Sequence, residues 1–131
     1  MRELPKFYND KDKTLCELKG LLQRGVKDRK SNFHYTTLCT VNEKQEPQGR
    51  TVILRGFESE TYNLTIHSDY RAKKIEEIKK NKNVSLIFYD EKKKIQIRLR
   101  GDATINQSKK NSWVKLSPWS RRCYLSYISP G

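Results

Sequence analysis

Long apolar runs are missing from this sequence. No stretch of about 18 consecutive apolar residues occurs, so no membrane-spanning helix is expected. The N-terminus, MRELPKFYNDKDK, lacks the apolar segment of a secretory signal. Cysteine is scarce as well: Cys16, Cys39 and Cys123 are odd in number, far apart and without CxxC spacing. That pattern argues against a disulfide framework or a zinc site, and it points to the cytoplasm. Acidic residues are few, 15 against 28 Lys and Arg, which leaves a net charge of +13. Proline and glycine form no linker, and no internal repeat is present. What the chain does have is aromatic residues: seven Tyr, four Phe and two Trp are more than a solvated tail needs. At 131 residues, the expectation is one folded domain, 1–131, with a thin core.

The positive balance invites a nucleic-acid reading. Many of the lysines, however, sit in runs such as Lys79, Lys80 and Lys82 or Lys92, Lys93 and Lys94, where helix ends and hairpin tips are solvated in any case. A basic balance equally suits a protein whose ligand is a small anion.

Hydrophobic periodicity divides the chain. Leu15, Leu18, Leu22 and Val26 recur at helical spacing over 14–26, with Thr14 as N-cap. FHYTTLCTV (33–41) alternates as a strand, NEKQEPQG is turn chemistry, and RTVILRGF (50–57) and YNLTIHS (62–68) are strands again. In 70–81, Ala72, Ile75 and Ile78 make one apolar stripe on a charged helix, where Glu76 and Glu77 can pair with Lys73, Lys79 and Lys80. VSLIFYD (84–90) and KKIQIRLRGDATI (93–105) form a hairpin, with Gly101 marking a bulge or bend. The tail from Asn106 to Gly131 is expected to be partly helical. Five or six strands with short antiparallel connections suggest a small closed or half-open barrel, because closure removes exposed edges.

Two places could bind an anion. In the strand from Arg50 to Arg55, alternation puts Arg50, Val52 and Leu54 on one face and Thr51, Ile53 and Arg55 on the other. Both arginines could equally reach solvent. Farther on, His67-Ser68-Asp69-Tyr70-Arg71 ends a strand and opens a helix, followed at once by Lys73 and Lys74. A helix N-terminus presents free N–H groups and a partial positive charge, so cations crowded beside it make sense next to a phosphate. A solvated basic helix face explains the same residues. Gln96, inside a strand, either faces solvent or reads the polar edge of a ligand ring.

The ordered combination RTVILR, then IHSDYRAKKIEEIKKNKNVSLIFY, then QIRLRG, over roughly 33–105, resembles the pyridoxamine 5′-phosphate oxidase family of FMN-binding split barrels. The resemblance implies a mainly β fold with flanking helices, an antiparallel Greek-key split β-barrel, and a homodimer with FMN at the subunit interface. It implies that Arg50 and the strand through Arg55 line the flavin, with backbone groups of Val52, Ile53 and Leu54 against the ring. His67 and Ser68 fall near the ribityl phosphate, Lys73 and Lys74 match the family's basic pair for the phosphate, and Gln96 matches a glutamine near the flavin. Ala72 stands where the family commonly has serine, and Lys73 where arginine is usual.

The implied activity is an FMN-dependent oxidoreductase acting on a small molecule, with no catalytic acid or base identified. Members that oxidise pyridoxine phosphate carry a C-terminal Arg-x-His segment, and this chain ends SYISPG without it. Two readings stay open: a relative with a different substrate or cofactor, haem included, or a chain lacking a C-terminal segment. The rival from another class is a small basic barrel gripping single-stranded nucleic acid through lysines and Tyr35, Tyr62, Tyr70 and Tyr89.

Overall fold

The structure, a computed structural model, describes residues 7–69, 71–107 and 112–126. Helix α1 (Lys11–Lys27) is followed by β1 (Tyr35–Val41), β2 (Pro47–Ile53), β3 (Gly56–Glu58) and β4 (Asn63–Ser68). Helix α2 (Lys73–Lys80) then leads into β5 (Asn83–Asp90), β6 (Ile95–Gln107) and β7 (Ser112–Ser126). All strand pairs are antiparallel, in the order β2-β1-β5-β6-β7-β4-β3.

That order curls the sheet. Strands β2 and β3 stand at opposite ends of the ladder yet are joined by only Leu54 and Arg55, so the two ends must meet. The amide of Leu54 donates to His34 O at 2.9 Å, and the next amide, of Arg55, donates to Thr65 O of β4 at 2.9 Å. The single strand expected over 50–57 is therefore two, broken where the chain steps from one end of the sheet to the other. This is the split barrel that the resemblance implied, built from seven strands rather than five or six.

The extra strand is the tail. The expectation of partial helix after Asn106 is wrong for 112–126, which pair with β6 and β4; residues 127–131 lie outside the described residues. Two-residue alternation is there in SWVKLS, with Val114 buried and Lys115 half-buried. Pro118 masks the signal, since proline removes a ladder donor. It is accommodated opposite Gly101, where the β6–β7 register shifts between Leu99 and Gly101.

Helix α1 starts earlier than its apolar stripe. Asp10, not Thr14, is the N-cap and accepts from Lys13 N at 3.1 Å; the Thr14 hydroxyl instead donates to Phe7 O at 2.6 Å. Its buried face is Leu18, Leu21, Leu22 and Gly25, with Leu15 and Val26 half-buried at the margin. His34, itself buried, reaches back to the last turn: Nδ1 lies 2.7 Å from Gly25 O. A carbonyl only accepts, so Nδ1 carries the proton. Helix α2 buries Ile75 and Ile78, as its stripe predicts. These residues, with Leu38, Leu54, Phe88, Ile97 and Leu99, make one continuous core.

Candidate anion and cofactor site

Strand β2 is an end strand that lies beside the entrance to α2, and the side chains there divide by face. Val52 and Leu54 point into the core, at 8% and 0% exposure, while Thr51 and Arg55 are exposed and Ile53 is half-buried on the outside. Val52 and Leu54 therefore offer a ligand only their backbone, and the Leu54 amide is already given to His34 O.

Arg50 goes neither to solvent nor freely to a ligand. It lies on the inner side with Val52, where Nη1 donates to Leu38 O (3.3 Å) and to Thr40 Oγ1 (2.8 Å), and Nη2 donates to Glu77 Oε1 (3.0 Å). The same Glu77 oxygen accepts from the Thr40 hydroxyl at 2.8 Å. Sequence reading missed Glu77 and Thr40, and it assigned Glu77 a lysine on its own helix. In the fold only Glu76 pairs that way, with Lys79 at 3.8 Å, while Lys80 pairs with Glu43 of the β1–β2 turn. The hint available was that Glu77 sits two residues from Ile75 and next to Ile78, at the edge of the buried stripe rather than opposite it.

The segment from His67 to Lys74 forms the other wall. Ser68 is half-buried and its hydroxyl donates to Asp69 O at 3.1 Å; His67, at the exposed end of β4, sits opposite Trp113. Asp69 closes the turn into α2 by accepting from Arg71 N (2.8 Å), Nε (3.1 Å) and Nη2 (2.8 Å). These hydrogen bonds, above all from the Arg71 side chain, hold the Asp69 carboxyl at a pKa of about 2. Ala72, the N-cap of α2, makes no side-chain capping bond. The first turn of the helix thus lacks the oxygen that normally satisfies its N–H groups. Lys73 is exposed at this turn and Lys74 is half-buried. Burial first, and then the positive charge of Arg50, push the Lys74 ammonium below its ordinary value, with Asp69 opposing.

Arg50 and Lys74 are thus brought together beside the uncapped start of α2, and Ser68 immediately precedes the Asp69 turn that leads into that helix. Such a donor set fits a phosphate. Gln96 is not part of this cluster. It lies on β6 opposite Tyr89, and the β1–β5 register (Thr37 opposite Ile87) continues to bring Tyr35 level with Tyr89, with Ile53 beyond. Ile53, Tyr35, Tyr89 and Gln96 therefore form one row across the outer face, three strand spacings of about 4.8 Å each. Tyr35 and Tyr89 are 51% and 43% exposed in that row. Tyr62, by contrast, is buried under Lys19, whose Nζ lies 4.9 Å from the ring centroid, and so cannot stack on a base. Tyr70 lies outside the described residues. Among the described residues no His, Cys, Asp or Glu cluster could hold a metal, and no helix is long and apolar enough to cross a membrane.

Comparison with known proteins agrees with this fold. The family model described as pyridoxamine 5′-phosphate oxidase, FMN-binding domain, matches residues 16–107. Pyridoxine/pyridoxamine 5′-phosphate oxidase 2 of Arabidopsis thaliana is 30% identical over 105 residues, covering 72% of this chain and 53% of the relative. The chain thus spans about half the length of that curated relative. A pyridoxamine 5′-phosphate oxidase-related, FMN binding protein from Nostoc punctiforme shares the fold with a TM-score of 0.68 at 15% identity, covering 98% of this chain and 99% of that one. A heme binding protein from Mycobacterium smegmatis matches with a TM-score of 0.57 at 12% identity, covering 72% of this chain and 52% of that one. A barrel closed at Leu54–Arg55, a basic cluster at the mouth of α2 and the match across most of the chain lead to one conclusion: this chain belongs to the pyridoxamine 5′-phosphate oxidase family, through its FMN-binding domain.

Proposed function

We propose that the chain is a cytoplasmic flavoprotein that holds FMN by its phosphate and works as an oxidoreductase on a small molecule of unassigned identity. The observation that carries this reading is the approach of Arg50 and half-buried Lys74 at the uncapped start of α2, in a chain of this family. Lys73 and Lys74 would hold the phosphate together with the first-turn amides and the Ser68 hydroxyl. The β2 backbone from Val52 to Leu54, with Ile53 outward and Arg55 at its end, would border the ring, and His67 the ribityl chain. FMN when bound supplies hydride acceptance and onward electron transfer, and the protein supplies position and electrostatics.

A homodimer belongs to the same proposal. Gln96 stands across the outer face from Ile53, and the row containing Tyr35 and Tyr89 is an exposed aromatic strip suited to a second copy. FMN in the seam between two copies would meet the basic cluster at one end and an amide such as that of Gln96 near its ring. The buried Tyr62 speaks against the single-strand nucleic-acid reading, which needs its aromatics in the open.

The test is a visible absorption spectrum of the purified protein and an FMN titration followed by fluorescence quenching. Yellow protein with saturable binding is expected. Lys74→Ala should weaken binding about ten- to a hundredfold, the size of one or two charge-assisted hydrogen bonds. Arg55→Ala should weaken it less. Colourless protein that ignores FMN, or a Soret band after haem addition in place of flavin binding, would sink the proposal. Turnover of pyridoxamine 5′-phosphate is assayed on the same FMN-loaded protein.

A further inference from the structure

Glu77 lies within one helical turn of Lys74, and its carboxylate is bonded to the only arginine that the strand β2 itself contributes to this cluster. We propose that Glu77 sets the strength and selectivity of the anion site, by competing with the ligand phosphate for the Arg50 guanidinium. The proposal rests on the FMN reading above and assigns a role to a residue that reading does not use.

The geometry is a shared arginine. Arg50 is anchored from below by Leu38 O and Thr40 Oγ1 of β1, so its guanidinium is fixed in place, and Glu77 takes the Nη2 side. Neither partner is free in water: the Arg50 side chain is 27% exposed and that of Glu77 13%. A guanidinium carries five donors in a planar fork and can serve a second acceptor next to the first. The charge of Arg50 is felt at Lys74, so a phosphate held by Lys74 also lies within the field of Arg50.

Two consequences follow from the placement of the carboxylate. In the free protein, Glu77 neutralises Arg50, one of the two cations brought close at Lys74, which favours the packed position of α2 against β1 and β6. With a dianionic phosphate present, the same carboxylate occupies the Nη2 side of the Arg50 guanidinium and leaves the phosphate less of that charge. Glu77 therefore lowers the affinity for phosphate-bearing ligands while leaving the uncharged part of a ligand unaffected. If the carboxylate only fastened α2 to the sheet, its removal would loosen the site and weaken every ligand.

Glu77→Gln separates these roles, because the amide keeps the size and still accepts from Arg50 but carries no charge. Wild type and variant are titrated with FMN and with riboflavin, which has the same ring and ribityl chain without the phosphate, at two salt concentrations. FMN should bind about three- to tenfold more tightly to the variant, the range of a partly exposed charge pair. Its salt dependence should steepen, and riboflavin affinity should not change. In an Arg50→Gln background the gain should vanish, because Glu77 acts through Arg50.

FMN binding that is unchanged or weaker in a variant melting like wild type overturns the proposal. So does an equal gain for riboflavin, or a gain that survives without Arg50. Glu77→Met removes the same charge with a side chain of similar length and serves where Glu77→Gln does not fold; a gain for FMN alone is expected, and a loss counts against the proposal. A wild type that binds no FMN rejects the flavin reading instead. Inorganic phosphate, titrated calorimetrically into wild type and Glu77→Gln, then decides the role of Glu77 independently: tighter binding to the variant supports it, and equal or weaker binding overturns it.

Discussion

At the scale of single residues, the entrance to α2 is governed by one short turn. Asp69 accepts three hydrogen bonds from Arg71, and its carboxyl titrates at about 2 instead of 3.8. Because the folded value is depressed, the turn's contribution is complete above the ordinary carboxylate value and is lost as pH falls towards 2. Carboxyl NMR titration should give a midpoint of about 2 for Asp69, and Arg71→Gln should return it towards 3.8. An unmoved midpoint in that variant would show that the Arg71 side chain is not the cause. Arg50 gives the complementary lesson. Alternation along RTVILR correctly put it on the face of Val52 and Leu54, but which carboxylate would meet it depended on where a helix 27 residues away comes to rest.

At the scale of elements, α1 contains two glycines whose surroundings differ. Gly20 has nothing within 4 Å of where a Cβ would stand, whereas a Cβ on Gly25 would lie 2.5 Å from Phe33 O and 2.8 Å from Phe33 C. Helix propensity alone would reward alanine at both positions. Gly20→Ala should therefore stabilise the protein by about 0.5–1 kcal/mol. Gly25→Ala should destabilise it by about 1–3 kcal/mol, because the backbone of 33–34 must move and the His34 bond to Gly25 O is disturbed with it. Denaturant melts of the two variants test this directly, and shifts of the same sign would contradict the close packing at Phe33. The sequence pattern was sufficient to show the helix and most of its buried face. It could not show which glycine is a packing requirement, since that depends on a loop folding back against the last turn.

At the scale of the whole molecule, the outer face of the barrel sets the expected assembly. Tyr35 and Tyr89 stand side by side with Ile53 and Gln96, on a sheet whose other face carries the hydrophobic core. If two copies meet here with FMN in the seam, Tyr35→Glu together with Tyr89→Glu should give a monomer in sedimentation velocity and lower FMN affinity at least about tenfold. Charged side chains at the centre of a packed interface cost several kcal/mol. A dimer that persists in the double variant would move the interface elsewhere. The single chain also explains why the barrel closes: with β2 and β3 joined by two residues, a flat seven-stranded sheet is not available to it.

Local chemistry determined much of this protein before any fold was known. The spacing of Leu18 and Leu22, of Ile75 and Ile78, and the alternation in 35–41, 84–90 and 95–105 each reflect a period that one element must satisfy alone, so they could be read directly. The ordered basic and apolar motifs of 50–55 and 67–74 pointed to the family for the same reason. Tertiary structure alone decided the rest: that SWVKLSPWSRRCYLS is a strand despite Pro118, that Tyr62 is buried, that Gln96 stands three strands from Ile53, and that Arg50 is bonded to Glu77. Each of these depends on register between segments far apart in the chain. No local period carries that information, because a side chain's partner is chosen by which backbone lies across from it once the barrel has closed.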